Sequence, residues 1–255
     1  MCIRDSLQVE SDPAYDYLAA VFAYDWDSAR PPLCLPLVAR SYHYTRPAQH
    51  LLVSELHYAV GKEREWVEIL NPTDSQVDLF GYKLGDAHDP AAFEGMYLFP
   101  PGAGIQPGGV IVVAAAASGF SQDHPGSMPD FEVYETDPTV PNLLEDADWG
   151  TGEWHLRNEG DEVLLLMANG SIVDAVVYGD RIYPGVVPHP GVELYSPSLE
   201  RYPAYFDTDD CSHDFRDWPF PNPGDVPGGE AGNGFVGIAG ATPDETLEYR
   251  LTPRE

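Results

Sequence analysis

Carboxylates are the residues of this chain best placed to do chemistry. Glu55, Glu65 and Glu68 fall in two neighbouring apolar segments, and Asp207, Asp209, Asp210 and Asp214 crowd one short stretch. Paired carboxylates serve general acid–base work when they converge on one bond. Glu65 and Glu68, however, stand an odd number of residues apart on an extended segment and so face opposite sides. Strand-face and strand-end carboxylates of a sandwich account for that trio, and no catalytic residue is assigned. The Asp207 group supplies hard oxygen donors of the kind Ca²⁺ takes, but a solvated acidic loop has the same composition. No Gly stands at the sixth position, as an EF-hand requires. Cys211 and His213 add two soft ligands, which fall short of a zinc site without a second pair. The metal candidates are therefore Asp207, Asp209, Asp210 and Asp214 for Ca²⁺, and no other cofactor is expected.

Other signatures point away from catalysis. No histidine is followed two positions on by lysine, and no GxSxG, HExxH or P-loop pattern occurs. Gly232-Asn233-Gly234-Phe235-Val236-Gly237 fits the dinucleotide fingerprint by letter. It follows a glycine-rich stretch instead of a strand, with too few residues left for a βαβ unit. Trp66, Trp149, Trp154 and Trp218 offer stacking surfaces, although aromatics of a sandwich mostly pack in the core or under loops.

The charge balance narrows the partners. Asp+Glu number 42 against 13 Lys+Arg, a formal net charge of −29. The few cations are scattered, and lysine occurs only at Lys62 and Lys83. A phosphate backbone meets a repulsive field here, so autonomous nucleic-acid binding is not expected. No apolar run reaches the length of a membrane span. The three cysteines form no framework; Cys34 and Cys211 can pair in an oxidising compartment or stand as two small core residues.

The elements that must position these groups read mainly as strands. Gly and Pro number 24 and 25, suited to many short strands and turns. Residues 51–58 and 65–70 form the first two strands, with Val67 and Ile69 on one face and Trp66, Glu68 and Leu70 on the other. Val77, Leu79, Tyr82 and Leu84 carry a third extended segment interrupted at Gly81. Residues 110–114 form a continuous apolar strand. Residues 118–153 are a long acidic insert with no clear period. Asn169-Gly170 between the apolar runs 162–167 and 172–178 predicts a hairpin, because a type I′ turn needs positive φ at both central positions. Upstream, Tyr15, Leu18, Ala19 and Phe22 fall at helical spacing, which predicts one short amphipathic helix over residues 12–26.

An ordered series of motifs then carries a resemblance. Leu52-Val53-Ser54-Glu55-Leu56, Glu65-Trp66-Val67-Glu68-Ile69-Leu70-Asn71-Pro72 and Val77-Asp78-Leu79-Phe80-Gly81-Tyr82-Lys83-Leu84 resemble the opening of a bacterial lamin tail domain. Phe99-Pro100-Pro101, residues 156–163 and residues 172–178 follow in the family's order, and Leu199-Glu200-Arg201, residues 207–210, Asp214-Phe215 and Pro221-Asn222-Pro223-Gly224 match its end. The resemblance implies an all-β, immunoglobulin-like β-sandwich over residues 47–225, with a short N-terminal helix and an irregular C-terminal tail over 226–255. It also implies a non-catalytic accessory module, extracellular or at the cell surface, that binds or tethers to an unknown protein or cell-envelope partner. Met1-Cys2-Ile3-Arg4-Asp5-Ser6 resembles the translated adaptor that opens many metagenomic reading frames, which sets residues 1–7 apart as an artefact and the chain as a metagenomic fragment. A shorter echo, residues 17–27 ending in Asp25-Trp26, resembles the last helix of a phospholipase-D-like domain. On that alternative, residues 8–46 end a phosphodiesterase or nuclease whose catalytic part lies outside this chain.

Overall fold

In a computed structural model, residues 47–90, 93–192 and 198–226 are described in full, along with the backbone of three short strands nearer the N-terminus. The chain divides into two compact units, Met1–Pro47 and Ala48–Glu255. In the first, β1 (Glu10–Asp12), β2 (Tyr15–Ala19) and β3 (Val38–Ala39) form an antiparallel sheet in that order. This corrects the expected helix: Tyr15–Ala19 is extended. Tyr15 and Tyr17 favour strands, and over five residues an apolar pattern satisfies either period. Residues 20–26, which complete both the expected helix and the phospholipase-D-like echo, lie outside the described residues, as do Cys34, the 232–237 motif and the tail.

The second unit is a sandwich. Its strands are β4 (Leu52–His57), β5 (Trp66–Leu70), β6 (Val77–Asp78), β7 (Lys83–Gly85), β8 (Met96–Leu98), β9 (Gly104–Ile105), β10 (Val110–Ala116), β11 (Phe131–Tyr134), β12 (Leu144–Glu145), β13 (Gly160–Leu166), β14 (Ile172–Gly179), β15 (Ser198–Arg201) and β16 (Phe215–Trp218). Six pair in the order β11-β10-β5-β4-β15-β16 and five in the order β12-β8-β7-β13-β14; β6 and β9 form a separate pair. Two short helices, α1 (Ala117–Asp123) and α2 (Cys211–Asp214), complete it.

Alternation explains the layering. Val67 and Ile69 of β5, Val113 of β10, Val163 and Leu165 of β13 and Val176 of β14 are fully buried and share one core cluster. Burying such side chains stabilises by about 1.5–3 kcal/mol each. The expected hairpin forms, but not on a type I′ turn: the Gly170 amide donates to the Met167 carbonyl at 2.8 Å, and of Asn169 and Gly170 only Gly170 has positive φ, +82°, where a Cβ would stand 2.6 Å from the Trp149 ring. The insert over 118–153 is more regular than its sequence predicts. It supplies most of α1 together with β11 and β12, hence one of the two edge strands of each sheet. The four-residue alternation Phe131-Glu132-Val133-Tyr134 was the available signal, too short to stand out among the acids.

The six-stranded sheet is buried on both faces. The β4–β5 register runs Val53↔Ile69 and then Glu55↔Glu68, with the irregularity at Ser54. That extra residue lets Val53 and Leu56 both reach the core and places Glu55 beside Glu68 on the outer face. Trp66, on that outer face, packs edge-on to Phe120 of α1 at 6.3 Å between ring centroids. Gly119 lets α1 approach, since a Cβ there would lie 1.8 Å from the Glu63 carbonyl oxygen.

Candidate functional site

Buried carboxylates dominate the interior, and most of them hold backbone. Glu55, Glu68 and Glu200 form a row across β5, β4 and β15 on the outer face, each fully buried. Like charges in opposed cross-strand positions are unfavourable, and specific donors offset this. Ser198 Oγ donates to Glu55 Oε1 and Ser54 Oγ to Glu68 Oε1, both at 2.6 Å. The segment after β16 folds back so that the Asn222 and Gly224 amides donate to Glu55 and Glu68 at 3.4 and 2.7 Å. Arg216 Nε donates to Glu200 Oε2 at 2.6 Å. Burial pushes Glu55 up to about 8 and Glu68 up to about 7, so both hold protons near neutrality.

Glu65 does not join that row. Its Oε2 accepts the Leu156 amide at 3.0 Å, and its Oε1 is buried without a partner. Asp86 accepts the amides of Gly95 and His155 at 2.8 and 3.0 Å, and Asp161 that of Arg157 at 2.9 Å. Burial raises Glu65 to about 8 and Asp86 and Asp161 to about 7. Glu132, also buried, accepts three amides, those of Ala117, Thr136 and Asp137. A carboxyl with both oxygens occupied by the fold's own N–H groups is a brace for a loop.

The Ca²⁺ candidates divide. Asp207 and Asp214 converge on Arg201, whose Nη1 lies 3.2 and 3.3 Å from them, while its Nη2 lies 3.0 Å from Asp174 of β14. Arg201 is 1% exposed and also donates to the carbonyls of Val53 and Phe206. Here a guanidinium stands among the oxygens and joins the two sheets. Burial works against the charge of Asp207, but its hydrogen bond to His50 and the Arg201 cation hold its carboxyl below the usual range. Asp209 sits at positive φ of 56°, and Asp210 accepts the Ser212 hydroxyl at 2.6 Å before α2. Cys211 is a buried free thiol pushed up to about 12 by burial. Trp66 and Trp154 are core; Trp149 flanks Lys83, whose Nζ is 4.7 Å from its ring, and Trp218 stacks with Arg216.

Two features were not singled out from sequence. His88, Glu94 and Glu162 bring donor atoms within 4.8 Å of one another, a spacing a divalent cation can use. Arg181 already reaches both Glu162 oxygens, Glu94 at 3.4 Å and His88 Nδ1 at 3.0 Å. Its cation meets those acids from within the fold. The second feature is an open groove of about 1170 Å³ walled by β11, β12 and the 151–157 loop. Asp86 and Tyr97 lie in its floor, Phe93 and Leu144 on its lips, and Glu135, Glu145 and Glu153 on its rim. Most of these residues come from the insert and its neighbouring loops.

A family model described as the lamin tail domain matches residues 45–180. No curated protein matches the chain. Among solved structures, the fold is similar to that of a DUF4876 family protein from Bacteroides thetaiotaomicron, with a TM-score of 0.50 and 14% identity over 70% of this chain and 72% of that one.

Proposed function

Because this chain belongs to the lamin tail domain family, we propose that it is a non-catalytic binding module of a larger secreted or surface-attached bacterial protein, tethering that protein to a protein or envelope partner. The observation that carries the reading is the use made of the buried acids. Glu55, Glu68, Asp86, Asp161 and Glu132 are each held by backbone amides, hydroxyls or both. Acid–base catalysis needs a carboxyl aimed at bound substrate, and these aim at the fold's own loops. The immunoglobulin-like sandwich offers instead a rigid frame whose sheet edges can serve recognition. No helix among the described residues is long and apolar enough to cross a membrane.

Two measurements on the purified full chain test it. A phosphodiesterase and esterase screen with Mg²⁺, Mn²⁺, Ca²⁺ or Zn²⁺ is expected to give no turnover that scales with protein; turnover would overturn the reading. A fluorescent-protein fusion of the full chain is expected to be retained saturably on bacterial envelope preparations, and loss of retention to the level of the fluorescent protein alone would contradict the tethering role.

A further inference from the structure

We propose that the groove between β11 and β12 receives an extended, Lys- or Arg-bearing segment of a partner protein, laid along the outer strands of the two sheets. The inference rests on the binding-module reading and gives its partner a chemistry and an address. β11 and β12 are each an edge strand of their sheets, and the unpaired part of a sheet edge is a ready acceptor for an added strand. Residues 141–143 already pair with the outer edge of β11 at Glu132, through a parallel bridge between Glu132 and Asn142. Glu132 N donates to the Pro141 carbonyl at 3.0 Å, and Leu143 N donates to the Glu132 carbonyl at 2.8 Å. Beyond it, Val133, Tyr134 and Glu135 continue along the wall of the groove. A space of about 1170 Å³ exceeds the usual span for small-molecule sites, roughly 300–1,000 Å³.

The lining selects the occupant. Glu135 and Glu145 are exposed on the rim, no cation among the described residues forms an ion pair with either, and the acids of the lining outnumber its cations, Lys62 and Arg157. Lys62 already demonstrates the preferred contact. Its Nζ stands 5.1 Å above the centre of the Tyr134 ring and pairs with Glu153. Apolar surface accompanies the acids: Phe93 is 87% exposed and Leu144 50% exposed. An extended segment sends alternate side chains to opposite sides. Apolar residues would then meet Phe93 and Leu144 while alternate cations meet Glu135 and Glu145.

The full chain is titrated by fluorescence anisotropy into a labelled peptide of alternating Lys and Val, about eight residues long. Matched peptides alternate Glu with Val or Lys with Gly, and a fourth is Lys/Val with every second amide N-methylated. Saturable binding of Lys/Val is expected, with Lys/Gly, Glu/Val and the N-methylated peptide each weaker by about tenfold or more. E135K/E145K is expected to weaken Lys/Val binding by about tenfold, and Phe93→Ser by about fivefold. D74K/D180K, whose residues do not line the groove, is expected to leave it within about twofold. Equal binding of Lys/Gly and Lys/Val, no effect of N-methylation, or an equal loss in D74K/D180K would overturn the proposal as mere attraction to a polyanion. If envelope retention of the fusion survives E135K/E145K unchanged, the groove assignment falls and the module reading stands; if retention is absent in the unmodified chain, the module reading falls.

Discussion

Glu200 and Arg201 are neighbours in β15, yet they belong to two differently built clusters of buried charge on opposite faces of one sheet. Inward, Arg201 gathers Asp174, Asp207 and Asp214, so that an internal cation answers the acids. Outward, Glu200 continues the row of Glu55 and Glu68, where Arg216 reaches Glu200 but Glu55 and Glu68 meet only hydroxyls and amides. The difference teaches that acids can be buried in two ways: around an internal cation, which holds Asp207 ionised although burial still raises Asp174 and Asp214, or by desolvation among neutral donors with protons retained.

The largest effect is expected at the cation. Arg201→Met leaves three acids around an apolar side chain and should cost about 3–5 kcal/mol, read as a lower urea midpoint with an unchanged slope. Arg201→Lys should recover part of it, because an ammonium cannot reach all five acceptors in the plane of a guanidinium. A loss under about 1 kcal/mol in Arg201→Met would dissolve the contrast.

Next comes pH. Glu55, Glu65, Glu68, Asp86 and Asp161 have folded-state values near 7 or 8, above their unfolded ones. The folded protein therefore holds more protons than the unfolded chain between about pH 4.3 and 8, and stability falls as pH rises through that window. His57 opposes this on the acid side, since burial pushes it down to about 4 and its contribution is lost as pH falls below about 6.5. Unfolding monitored from pH 5 to pH 8 should show a net loss on the order of a few kcal/mol, and E55Q/E68Q should flatten the slope. A profile rising from pH 5 to pH 8 would refute the outward half of the comparison.

Smaller again is the loss of a hydroxyl. Ser54→Ala or Ser198→Ala removes the donor to Glu68 or Glu55 and should cost about 1–2 kcal/mol, with the cost growing as pH rises. Smallest is the exposed rim: Glu135→Gln should change stability by no more than about 0.5 kcal/mol, which separates an acid kept for the surface from acids kept for the fold.

How much of this was legible followed the range of each signal. β5, β10 and the β13–β14 hairpin declared themselves through local alternation and Asn169-Gly170. The resemblance series ran through them and fixed the sandwich. The Ser54 irregularity left no trace in the letters, so the pairing of Glu55 with Glu68 was not foreseen, although the separation of Glu65 from Glu68 was. The acids near Asp207 were found as a cluster, but their cation comes from β15 and a further acid from β14, distances that no local pattern records. The N-terminal strand Tyr15–Ala19 was misread because five residues satisfy a helical and an extended period alike.

Carbon-13 NMR titration of the side-chain carboxyls addresses the contrast most directly. The account predicts that Glu68 and Glu55 titrate near 7 and 8 while Asp207 stays ionised below the usual carboxylate range. Titration of all three together at about 4, the value of exposed acids, would contradict it.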